Sequence, residues 1–142
     1  MNPRPLRGVL DTSALIDLAH LDPDSLPEEP CITAITLAEL SVGPLVARTD
    51  SERAARQAHV QQAEADFDPL PFTASAARAF GGVAAGLRAS GRKPATRAYD
   101  ALIAATALAN GLPVFTSNPA DFAGIDGLTV HEVRPADEPD PT

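Results

Sequence analysis

Arg97-Ala-Tyr-Asp100-Ala-Leu-Ile103-Ala-Ala-Thr106-Ala-Leu-Ala-Asn110-Gly111-Leu-Pro-Val-Phe-Thr116-Ser-Asn118-Pro-Ala-Asp121-Phe122 decides how this chain folds. Residues 98–109 are strong helix formers, and Asn110-Gly111 suits the left-handed residue that closes many helices. A helix is therefore predicted, followed over residues 112–116 by a short strand. Asn118 and Pro119 then read as an N-cap with proline at the first helical position. One carboxylate, Asp100, falls in the first turn of the helix. A second, Asp121, lies just past the strand.

Working outward from that unit, the rest of the chain repeats its alternation. Residues 6–10 read as an apolar strand, and Asp11, Thr12 and Ser13 end it with residues that favour helix starts. A helix is expected over 14–21, with Leu15 and Leu18 facing the core, stopped at Asp22-Pro23. After an acidic, proline-rich loop, residues 31–35 are β-branched and read as the second strand. Thr36 and Glu39 have capping-box spacing at the start of a helix that Gly43-Pro44 breaks. Further helices are predicted over about 51–67 and 73–90. Between them Pro69 and Pro71 allow an edge strand at most. Gly81, Gly82 and Gly86 lie inside the second of these helices, where close helix approach explains them better than a phosphate cradle. Residues 128–133 alternate as a last strand.

Strands interleaved with helices predict an α/β fold: three layers, with a short, mainly parallel sheet flanked by helices on both faces. At 142 residues one domain is expected. It spans residues 1–133, and 134–142 form an acidic, proline-rich tail expected to be disordered. The net charge of −8 argues against a broad basic face for nucleic acid, although arginines clustered around a cleft would still serve a nuclease. Cys31 has no partner for an internal disulfide, which fits a cytoplasmic protein. No apolar segment near the start resembles a signal peptide, and no apolar run is long enough to cross a membrane.

In a parallel sheet, ligands gather outside the carboxyl ends of the strands. Asp11, Glu39 and Asp121 follow predicted strand ends, and the long helix brings Asp100 towards them. Each acid alone has a structural explanation as a cap or first-turn residue. Capping does not require all four at one edge of one sheet. Grouped carboxylates repel one another and favour protonation unless cations join them. Hard oxygen donors suit magnesium or manganese, and no histidine and cysteine cluster points to zinc. Two such ions could activate water and stabilise the leaving oxygen in displacement at phosphorus.

These residues also carry a family resemblance. Asp11-Thr-Ser13 after its strand, Thr36-Leu-Ala-Glu39, Asp100-Ala-Leu-Ile-Ala-Ala105 and Thr116-Ser-Asn118-Pro-Ala-Asp121-Phe122 resemble PIN-domain ribonucleases, especially the VapC-type toxins of toxin–antitoxin pairs. The resemblance implies a magnesium-dependent endoribonuclease, with manganese an alternative, that cleaves RNA phosphodiesters by metal-activated water. Asp11, Glu39, Asp100 and Asp121 would be its catalytic metal ligands, with Asp121 the least uniform in that family. Ser13 and Thr116 would be supporting hydroxyls, and Asn118 would hold the loop that presents Asp121. A cognate antitoxin and a homodimer are also implied. Leu37, Leu40, Val42 and Leu45, with the helix near residues 80–87, are candidate walls of an antitoxin groove.

Arg97 stands one helical turn before Asp100 and is a candidate contact for RNA phosphate or for an acidic neighbour. Arg92 and Lys93 are further candidates for RNA contact. Rival phosphoaspartate folds fail on particular residues. Haloacid-dehalogenase-like phosphatases want an aspartate where Ser13 stands, and receivers want a strand-borne lysine, whereas Lys93 follows a helix and a glycine turn. The remaining rival is a PIN-like protein-binding module without turnover. A decayed site would be expected to lose acids, and all four are present.

Overall fold

A computed structural model describes residues 5–93 and 97–137. Four short strands form one parallel sheet in the order β2-β1-β3-β4: β1 (Arg7–Leu10), β2 (Glu29–Cys31), β3 (Val114–Thr116) and β4 (Val130–Glu132). The register pairs Val9 with Cys31 on one side and with Val114 on the other, and Val114 in turn with Val130. Gly8 is required by this packing, because a Cβ there would run into the Phe115 ring.

Alternation along the strands divides the core in two. Val9 and Val114 face one cluster with α4 (Ala74–Ala89) and α5 (Ala98–Ala109), where Val83, Leu87, Ile103 and Ala104 are buried. Leu10 and Phe115 face the other with α1 (Thr12–Ile16), α2 (Ala34–Val42) and α3 (Asp50–Asp66), through Leu15, Leu40 and Ala63. The result is the expected three-layer α/β arrangement. α5 carries buried residues on several sides, as befits a helix enclosed by protein, and its alanines let α4 pack closely. It closes at Asn110, with Gly111 at φ 65°, as the sequence predicted.

Several expectations are corrected. The first helix is only five residues long and gives way to a 3-10 turn over Leu18–His20. The second strand ends at Cys31, and Thr33, not Thr36, caps α2 by accepting from the Thr36 N–H. Thr36 and Glu39 are thus no capping box: Thr36 is fully buried inside the helix, and Glu39 lies in its second turn. Near residue 70 only an isolated bridge pairs Thr33 with Leu70. Arg134 and Ala136, at the start of the predicted tail, are bound to the loop after α1. Arg134 bonds Asp22 at 2.9 Å, its N–H donates to Ser25 Oγ, and the Ala136 N–H donates to the His20 carbonyl. Residues 138–142 of the tail and 94–96 of the basic stretch lie outside the described residues.

Of the three glycines in α4, only Gly86 is explained by close approach. A Cβ there would sit 2.7 Å from the Gly124 carbonyl, whereas nothing lies within 4 Å of one at Gly81 or Gly82. Among the described residues no helix is long and apolar enough to cross a membrane.

Candidate active site

Sheet direction and helix direction together build this site. All strands are parallel, so β1 and β3 deliver Asp11 and Thr116 to the same edge. α5 runs back to the start of β3 and therefore begins at that edge, which puts Asp100, in its first turn, near Asp11. Asp121 follows β3 in the 3-10 turn Pro119–Phe122, and Glu39 projects from α2.

Asp11 is 5% exposed and held by three donors. Oδ1 accepts from the Ser13 hydroxyl at 2.9 Å and from the Ala14 N–H at 2.9 Å, while Oδ2 accepts from the Thr116 hydroxyl at 2.6 Å. Thr116 is itself fully buried and accepts from the Asn118 N–H at 3.0 Å. Burial raises the Asp11 pKa above its ordinary value, against the lowering by these hydrogen bonds, and the charge of Asp121 raises it further.

Asp100 reports most directly that the acids have come together. Its pKa is pushed up to about 6, first by burial and then by repulsion from Asp121, Asp11 and Glu39, with Arg97 pulling the other way. All three other predicted acids therefore act on it. Arg97 lies 2.8 Å from Asp121 and 3.9 Å from Asp100, so it contacts acidic neighbours. Arg92 donates to the Ala123 carbonyl at 3.2 Å, behind the turn that carries Asp121, and Lys93 is exposed. Asn118 makes no side-chain cap bond. The turn is tied instead through its backbone, to Thr116 and to the Asp121 N–H.

Two residues of this site escaped the sequence reading. Thr12 donates to Glu39 Oε1 at 2.7 Å, and its oxygen lies 3.0 Å from that of Thr36. Thr12 was read only as a helix starter and Thr36 only as a cap. A hydroxyl facing another element leaves no periodic signal.

The donor set suits a hard divalent cation: carboxylate oxygens, two from acids whose pKa is raised. Among the described residues no group of three or more histidine, cysteine, aspartate or glutamate side chains is arranged to hold a metal ion. The carboxylates instead have other partners: Asp121 meets Arg97, Glu39 meets Thr12, and Asp11 meets Thr116 and Ser13. Mutual repulsion nevertheless fits residues that gain a cation.

Beside Glu39, a cavity of about 150 Å³ is lined by Thr12, Ile16, Leu40, Gly43, Arg56 and His59. The chain next to it exposes Val42, Leu45 and Val46. On α4, Leu87 is fully buried in the cluster on the opposite face of the sheet, while Gly81, Ala84, Ala85, Arg88 and Ala89 line a separate cavity of about 500 Å³.

Residues 8–128 match the PIN domain family. The chain is 40% identical to "Ribonuclease VapC5" of Mycobacterium tuberculosis over 94% of its own length and 98% of that protein's. It is 33% identical to "Ribonuclease VapC4" of the same organism, over 92% and 98% of the two chains. Among solved structures, it resembles a chain of the crystal structure of VapBC-5, a member of the VapBC family of toxin–antitoxin systems from Mycobacterium tuberculosis. That likeness has a TM-score of 0.77 and 42% identity, and covers 92% of this chain and 99% of that one.

Proposed function

The chain belongs to the PIN-domain family, and from that premise we propose that it is a metal-dependent endoribonuclease acting as the toxin of a toxin–antitoxin pair. The observation that carries the reading is the repulsion on Asp100 from Asp121, Asp11 and Glu39, which a divalent cation would relieve. Its near full-length likeness to named VapC ribonucleases supports RNA as substrate, and its likeness to a chain of a VapBC structure supports an antitoxin as partner. Homodimerisation is proposed on the family resemblance. Retention of all four carboxylates favours catalysis over a PIN-like binding module.

Asp11 and Asp100 are the proposed principal magnesium ligands, with Glu39 and Asp121 completing the set directly or through water. When bound, magnesium or manganese would supply Lewis acidity, lowering the pKa of water and offsetting charge on the leaving oxygen. The chain's own contribution is to fix the donors beforehand. Ser13, Thr116 and the Ala14 N–H orient Asp11, and the Asn118 N–H in turn holds Thr116. With its pKa pushed up to about 6, Asp100 is mostly ionised at neutral pH and can serve as a ligand there. Arg97, at the mouth of the acidic group, offers a guanidinium to RNA phosphate if it leaves Asp121.

The cavity beside Glu39, with exposed Ile16, Val42 and Leu45, is the proposed seat of the antitoxin segment. Incubating total RNA with magnesium and mapping the cut ends tests the catalytic reading. Discrete cuts bearing 5′-phosphates are expected from the wild type and none from Asp11→Asn. Equal cutting by both would refute it.

A further inference from the structure

Thr12 has one hydroxyl proton, and the structure shows where it goes. Its Oγ1 donates to Glu39 Oε1 at 2.7 Å, so the 3.0 Å contact with Thr36 Oγ1 must be donated by Thr36. The hydroxyls thus form a directed chain from Thr36, fully buried within α2, through Thr12, at the start of α1, to Glu39, back on α2. Glu39 is only partly buried, and a glutamate of this kind rotates about several bonds unless something holds it. Asp11 has three donors to hold it, whereas among the described residues Glu39 is held by the hydrogen bond from Thr12.

We propose that Thr12 is a positioning residue of the catalytic centre, occupying one carboxylate oxygen of Glu39 and leaving the other as the oxygen available to a divalent ion. This rests on the metal-dependent reading above and adds to it a residue that acts through Glu39. Thr36 acts one step further back, fixing the Thr12 hydroxyl so that its proton points to Glu39 and not to solvent.

The test is manganese binding to the full chain, followed by calorimetry, with melting temperature in chelator as the control. Thr12→Val should weaken manganese binding about 10- to 100-fold, the usual effect of losing a partner that orients a metal ligand. Thr12→Ser, which keeps the hydroxyl, should restore it. Thr12→Ala, which suits the first position of a helix, replaces valine should that variant fail to fold. In a Glu39→Gln background the same Thr12 substitution should add no further loss, because Thr12 acts through Glu39. Unchanged affinity in Thr12→Val, or an equal loss with and without Glu39, would overturn the inference and leave the nuclease reading standing. A wild type that binds no manganese would overturn that reading and this inference together.

Discussion

Asp100 combines burial, three repulsive neighbours and a place in the first turn of α5, which would favour a negative charge. Its folded pKa of about 6 stands above the ordinary 3.8, so between these values the folded state holds more proton than the unfolded chain. Stability of the metal-free protein should therefore fall as pH rises from about 4 to about 6, and then level off. The shift corresponds to at most about 3 kcal/mol, less the solvent screening that reaches a side chain 28% exposed. Asp100→Asn removes the charge, so it should match the wild type near pH 4 and exceed it above pH 6, in chelator, while losing magnesium-dependent cleavage. Denaturant titration across that range measures the difference. If the variant instead loses roughly 2–5 kcal/mol, as a core truncation such as Ile103→Ala would, Asp100 is a structural cap and not a ligand. Asp11, Asp100 and Asp121 were legible because each sits at a recognisable strand or helix boundary, whereas Glu39 was picked out by a capping-box spacing that the structure does not use. Thr12 was not: its role depends on an oxygen reached across two elements, 27 residues away.

At the scale of elements, the sequence read best where one signal was enough. α5 ends at Asn110 and Gly111 because alanine-rich helix and left-handed terminator agree; α3 and α4 begin within a residue of their predicted starts, after threonine caps that the sequence reading did not name. It read worst where two caps competed. Thr33 and Thr36 both precede an apolar run, and only packing shows that Thr36 belongs inside, with its hydroxyl against Thr12. The glycines of α4 separate in the same way. Gly81→Ala and Gly82→Ala meet no atom, so each should stabilise the helix by about 0.5–1 kcal/mol in urea unfolding. Gly86→Ala must move the Gly124 backbone and should destabilise the protein. Equal effects at all three positions would contradict this division of α4.

For the whole molecule, the fold class follows from alternating elements, but its handling of charge does not. A chain of net charge −8 concentrates four carboxylates at one sheet edge and answers them with Arg97 and a set of hydroxyls and N–H donors. The core clusters on the two faces of the sheet hold α1, α2 and α5, the helices that Asp11 caps or that carry Glu39 and Asp100. Amphipathic spacing marks a buried face and a binding face alike, and on α4 the spacing that suggested a groove wall includes Leu87, which is buried in the core. The most direct test of the central claim is anomalous diffraction from crystals soaked in manganese. The account predicts a manganese peak contacted by the carboxylates of Asp11 and Asp100, with Glu39 and Asp121 around it. Fully soaked crystals with these four carboxylates free of manganese, or with manganese bound only elsewhere on the surface, would contradict it.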